Sequence, residues 1–118
     1  MAVQRLHVEK RFSEIAISGN LVHLAGQLAS DTSLDIQGQT QQTLDIIDRF
    51  LADAGTDKSH IMSVTIYLKD IEKDYALFNE IWDAWVSDIQ ALPRTCVEAK
   101  LYAPEVLVEL SVVAVKPE

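Results

Sequence analysis

Six segments of this chain alternate or run apolar in the manner of β-strands, and only two carry the three-and-four spacing of a helix. That ratio constrains the fold more than any motif does, because two helices cannot cover both faces of a six-stranded sheet. The clearest strand is Met62 to Lys69: Met62, Val64, Ile66 and Leu68 alternate with Ser63, Thr65, Tyr67 and Lys69, the period of a strand buried on one face. Leu6 and Val8 alternate with His7 and Glu9 as a half-buried strand. Ile15–Ser18 and Leu21–Leu24 flank Gly19-Asn20, a pair that tolerates the positive φ of a tight hairpin turn. Thr95–Leu101 alternates again. Val106–Val115 is apolar on both faces apart from Glu109 and Ser111, which reads as a central strand covered on both sides.

The helical stripes are Leu44, Ile47, Phe50, Leu51 and Ala54 within Gln39–Ala54, stopped by Gly55, and Tyr75, Phe78, Ile81, Trp82, Trp85 and Val86, with Asp74 as candidate N-cap. Ser30 to Gln39 is polar and reads as a loop at the rim of a site. The order β-β-β-α-β-α-β-β predicts an α+β fold with both helices on one face of the sheet. The other face then needs a cover, and a copy of the same chain supplies one, so an oligomer is expected.

Composition narrows the function classes. A chain of 118 residues, 48% hydrophobic and 24% charged, predicts a single domain over 1–118 with a core that needs no staple. No run of about 18 apolar residues exists to span a membrane, and Met1–Glu9 lacks the apolar stretch of a secretory signal. Ten Lys plus Arg against eighteen Asp plus Glu leave a charge of −8, the wrong sign for general attraction to nucleic acid or anionic lipid. A lone cysteine, Cys96, excludes an internal disulfide and fits a reducing, cytoplasmic setting.

Two residues resist a packing explanation. Glu109 interrupts the most apolar strand; a carboxylate there is exposed beside Ser111, paired, or a water-orienting acid/base, since burial without partners would raise its pKa. Arg94 follows Pro93 at a strand entrance, where its fork could present two N–H donors to a carboxylate, although an ordinary surface arginine reads the same. His7, His23 and His60 lie in separate segments with too few neighbouring ligands for a metal site. Cys96 on a strand reads as a small buried hydrophobe. No phosphate loop, nucleophile elbow or zinc-protease helix is present.

Several strings, in order and over essentially the whole chain, resemble the RidA family, also called the YjgF/YER057c/UK114 family. They are Leu24-Ala25-Gly26-Gln27, Val64-Thr65-Ile66-Tyr67-Leu68-Lys69-Asp70, Phe78-Asn79, Pro93-Arg94-Thr95-Cys96-Val97-Glu98 and Val108-Glu109-Leu110. The resemblance implies a chorismate mutase-like α+β fold, a six-stranded, mainly antiparallel mixed sheet with two helices on one face. It also implies a homotrimer with a barrel-like centre and ligand clefts between adjacent subunits. The activity implied is hydrolysis of reactive 2-imino and enamine acids to 2-keto acids and ammonia, with no metal or organic cofactor. Arg94 matches the arginine that clamps the substrate carboxylate, Cys96 the residue whose backbone lines the reacting centre, and Glu109 the glutamate associated with water. Phe12, Gly26 and Asn79 fall at substrate-binding positions. One departure stands out: Lys10-Arg11-Phe12-Ser13-Glu14 occupies the place of the family's Gly-Pro-Tyr string, so Phe12 lacks the tyrosine's hydroxyl. Two further readings stay open. One is a non-catalytic trimer that binds small carboxylates. The other is the family's ribonuclease and translation-inhibitor label, against which the −8 charge argues.

Overall fold

The computed structural model describes residues 2–118, so the first residue of the Met1–Glu9 stretch lies outside it. Its elements are β1 (Gln4–Val8), β2 (Ser13–Ser18), β3 (Leu21–Gln27), α1 (Ile36–Asp53), a 3-10 turn (Lys58–His60), β4 (Ile61–Leu68), α2 (Ile71–Trp85), β5 (Arg94–Glu98) and β6 (Val108–Val115). The strands form one six-stranded sheet in the order β1-β2-β3-β6-β4-β5. Only β4 and β5 pair in parallel, as strands joined through a crossover helix do. The expected α+β architecture, a mainly antiparallel mixed sheet with two helices, is the one observed.

Period-two alternation decides where the helices go. On β6, Val108, Leu110, Val112 and Ala114 are buried while Glu109, Ser111, Val113 and Val115 are half-buried. Register carries the same division across the sheet: Val64 and Ile66 of β4 sit opposite Val112 and Leu110, and Leu24 and Val22 of β3 opposite Val112 and Ala114. Both helices lie on this buried face, where Leu44, Ile47 and Leu51 of α1 join Phe78, Trp82 and Trp85 of α2. Each such side chain contributes about 1.5–3 kcal/mol by leaving water. The helices are tied to each other by polar bonds at their flanks. Trp85 Nε1 donates to both carboxylate oxygens of Asp48 (3.2 and 3.1 Å), and Gln37 Nε2 donates to Glu80 and to the Leu77 carbonyl.

The structure corrects several expectations. Helix α2 is capped by Asp70, whose side chain accepts from the Lys73 amide at 3.1 Å; Asp74 is buried a turn inside. Helix α1 begins at Ile36 rather than Gln39, because Asp35 accepts from the Gly38 amide at 2.8 Å. Strand β1 is an exposed edge rather than half-buried, with Val8 67% exposed. In the hairpin only Gly19 takes a positive φ, the II′ pattern. Strand β5 stops at Glu98, because its parallel partner β4 runs out at Leu68. Strand β6 starts at Val108 rather than Val106, since the Leu107 amide is taken by the Gln39 side chain. Lastly, β6 is central but covered on one face only within the chain. Gly55 stops α1 as expected, at φ 84°.

Gln39 is fully buried and organises the loops around one end of the sheet. Its Nε2 donates to the carbonyls of Thr32, Leu34 and Glu105 (3.1, 3.0 and 2.9 Å), and its Oε1 accepts from the Leu107 amide at 3.0 Å. One side chain thereby joins the β3–α1 loop to the β5–β6 loop, just before β6 carries Glu109 into the sheet.

Candidate functional site

The predicted residues fall into two groups on opposite faces of the sheet. The first forms at the start of β5. The Pro93 carbonyl accepts from the Val64 amide at 3.0 Å, which anchors the strand entrance, and Arg94 pairs with Val64, so its side chain turns to the helix face. There α2 presents Tyr75, Phe78, Asn79 and Trp82, residues that share one side of a helix. Arg94 Nη2 donates to Asn79 Oδ1 at 2.9 Å and to the Tyr75 hydroxyl at 3.2 Å. The guanidinium lies 5.3–6.0 Å from the ring centres of Trp82, Tyr75 and Phe78. Its Nη1 is buried with no hydrogen-bond partner. Among the described residues no carboxylate forms an ion pair with Arg94, in a chain with eighteen acidic residues.

Cys96 shares this face two residues along β5. Burial pushes its thiol pKa up, and the nearby Arg94 charge pulls it partly back. The group therefore stays a protonated thiol near neutral pH, as the strand position suggested, and is no nucleophile in its own right.

The second group is built around a bulge in β3. Between the pairs Leu24–Val112 and Gln27–Leu110 the register shifts, so one extra residue of β3 is accommodated beside β6. Gly26 sits in that bulge directly against Glu109: a Cβ there would stand 2.9 Å from the Glu109 Cδ and overlap its carboxylate. Only glycine lets the carboxylate lie against the backbone. Glu109 is half-buried on the face the helices leave uncovered, and burial raises its pKa above the ordinary carboxylate range. Among the described residues its carboxylate has no hydrogen-bond partner. Phe12, from the β1–β2 connection, joins Gly26 and Glu109 in lining a cleft of about 670 Å³. Gln27 Nε2 donates to Glu14 at 3.2 Å in the same wall.

Arg94, Asn79 and Cys96 are thus brought together, as are Phe12, Gly26 and Glu109, but the two groups do not meet within one chain. Sequence reasoning assigned Tyr75 to packing alone; its 43% exposure and its bond to Arg94 make it part of the arginine's cradle. The spacing of Tyr75 and Asn79 beside Phe78 and Trp82 carried that signal. Tyr102, 78% exposed and lining the Glu109 cleft, carries no sequence signal because it belongs to a loop without pattern. The histidines are apart, with His7 bonded to Asp53 at 2.9 Å and His60 to Asp57 at 3.1 Å.

A six-stranded mixed sheet with a helix layer on one face only is the fold of the YjgF class of α+β proteins. A member of the YjgF protein family from Neisseria meningitidis superposes with a TM-score of 0.95 at 38% identity, over 100% of this chain and 98% of that one. A profile of the family described as Endoribonuclease L-PSP matches residues 2–116, and the chain belongs to this family, the RidA/YjgF family. Similar relatives are a "RutC family protein" of Haemophilus ducreyi, 43% identical over 95% of each chain, and the "RutC family protein YoaB" of Escherichia coli, 37% identical over 97% of this chain and 98% of its own. No helix among the described residues is long and apolar enough to cross a membrane.

Proposed function

We propose that the chain hydrolyses 2-imino acids, formed from reactive enamines, to 2-keto acids and ammonia, as a homotrimer whose subunits pair the Arg94 group of one with the Glu109 group of the next. The observation that carries this reading is the state of Arg94. Neutral partners and aromatic rings fix its guanidinium, its Nη1 has no partner, and among the described residues no acid neutralises it. A positive charge held without a counterion is a receptor for a small anion, and the planar fork suits a carboxylate. The uncovered face, where Leu21, Val97 and Met62 are 38%, 39% and 56% exposed, supplies apolar surface for the contact between copies.

The chemistry follows from these parts. Arg94 holds the substrate carboxylate, with Asn79 fixing the guanidinium. Glu109, its pKa raised by burial, takes a proton from water as the oxygen attacks the imine carbon and the C=N electrons move to nitrogen. That proton passes to nitrogen to give the tetrahedral carbinolamine; Glu109 then carries the hydroxyl proton to the amine, the C–N bond breaks as the C=O bond forms, and ammonia and the keto acid leave, so that imine plus water equals keto acid plus ammonia. Backbone groups at Cys96 receive hydrogen bonds from the nitrogen side. Neither metal nor organic cofactor is required by this sequence of steps. Phe12 brings no hydroxyl, so proton transfer rests on Glu109. A net charge of −8 makes this surface a poor one for RNA despite the family's description.

The test is the decay of a 2-imino acid generated in situ, with Arg94→Ala beside the parent. Loss of a charged, hydrogen-bonded anchor should lower kcat/KM about hundredfold. Undiminished hydrolysis would remove Arg94 from the mechanism. Binding of 2-ketobutyrate without acceleration of imine decay would favour the non-catalytic carboxylate-binding trimer, the reading to which the missing Phe12 hydroxyl lends support.

A further inference from the structure

In the single chain the cleft beside Glu109 offers more room than a three- or four-carbon acid needs, and the next subunit's Arg94 group would take part of it. Its volume of about 670 Å³ falls in the range, about 300–1,000 Å³, that encloses much bigger ligands. Its far wall has no part in the hydrolysis described above. Ile46 and Phe50 stand one turn apart on α1, to the side of the buried stripe Leu44, Ile47 and Leu51, and both are half-buried. Phe50 is held in place by the His7 ring, 5.0 Å away between centres. Leu28 closes the wall from the β3–α1 loop. Two aromatic side chains, Phe12 and Tyr102, stand at the cleft 52% and 78% exposed, although nothing in the sheet or helix packing requires them there. An apolar wall with exposed aromatics, opening directly from a half-buried carboxylate, is the construction of a pocket for an apolar substituent on the reacting carbon. The polar groups in the wall have other partners or lie in solvent: Gln27 Nε2 donates to Glu14 and to the Ala25 carbonyl, Ser30 donates to Gln42, and Arg49 is exposed.

We propose that this wall receives the substrate's side chain, so that the site selects 2-imino acids with aromatic or long branched apolar side chains over short ones. The proposal rests on the hydrolase reading of Glu109 and deepens it by naming the substrate class. A side chain of several carbons leaving water for such a wall should favour the larger substrate at least tenfold in kcat/KM.

The experiment uses the full chain and imino acids generated in situ by an amino-acid oxidase from phenylalanine, leucine, alanine and glutamate. The expected order places the phenylalanine and leucine products at least tenfold above the alanine product. Ile46→Trp, which fills the wall, should lower the phenylalanine-to-alanine ratio at least fivefold. Ile46→Ala, which widens it, should move preference from the leucine product toward the phenylalanine product. Equal rates on the short and long apolar imines, or ratios unmoved in both variants, would overturn the side-chain assignment while leaving the hydrolase reading in place. A preference for the glutamate product would also overturn it, assigning the wall to Arg49. No acceleration with any of the four would overturn the hydrolase reading and this inference with it.

Discussion

Replacing Gly26 with alanine separates the position of Glu109 from the stability of the fold. Gly26 is not among the residues with positive φ, so its backbone accepts a side chain without strain. The obstacle is the Glu109 side chain, whose Cδ and Cγ would stand 2.9 and 3.3 Å from the new methyl. Carbon atoms settle at about 3.5–4.0 Å, so the carboxylate has to retreat by about 1 Å. It is the free end of a flexible side chain with no hydrogen bond to break, so the retreat is cheap. An alanine also loses less backbone entropy than glycine on folding, about 0.4–1 kcal/mol in its favour. The two effects nearly cancel, and Tm should stay within a few degrees of the parent in a circular-dichroism melt. Catalysis should not be spared, because a displacement of about 1 Å at a reacting group costs about a hundredfold. Imine decay should therefore show kcat/KM reduced by about that factor in a normally folded protein. Parent-like activity in Gly26→Ala would refute the argument that Glu109 must lie against this backbone. A large loss of stability would refute the claim that the carboxylate is free to move.

Two further perturbations test other parts of the structure. Gln39→Leu removes a donor shared by three carbonyls and an acceptor for the Leu107 amide, and should cost about 2–4 kcal/mol, seen as a fall in Tm of about 10 °C or more; a smaller effect would mean that water replaces the clamp. Glu109 has its pKa raised on folding, so the native state binds more protons than the unfolded state between the ordinary and raised values, and stability falls as pH rises through that window. Glu109→Gln cannot ionise, so it should melt above the parent at pH 7, with the gain disappearing near pH 4, where both side chains are neutral; a gain equal at both pH values would point to packing instead.

The fold was largely legible because alternation and helical spacing are local. Val64 to Lys69 and the stripe through Phe78, Trp82 and Trp85 announce their buried faces within a few residues, whereas Met62, expected on the same face as Val64, is turned out by a bulge between Ile61 and Ser63 that buries Ile61 instead. Boundaries were less legible, because competing partners settle them. Asp70 and Asp74 are chemically equal caps, and only the extended backbone at Asp70 decides between them. Val106 and Leu107 look like strand, yet Gln39, distant in sequence, takes the Leu107 amide. At the site, Arg94 and Glu109 were conspicuous because each is the wrong residue type for its surroundings. That they face opposite sides of the sheet follows from register, which pairs Arg94 with Val64 and Glu109 with Tyr67. The cleft wall had no local signature at all: Ile46 and Phe50 read as ordinary helix positions, and Tyr102 approaches them only when the chain closes.

That opposition of faces has a genetic consequence. In the proposed homotrimer a site needing both Arg94 and Glu109 would draw them from different chains, so subunits lacking one would be rescued by subunits lacking the other. In a cyclic trimer that mixes Arg94→Ala and Glu109→Gln chains, wherever an intact Arg94 meets an intact Glu109 across a boundary, one complete site is restored. Two inactive alleles would then complement each other when refolded or co-expressed together, whereas a chain carrying both substitutions would poison every boundary it joins.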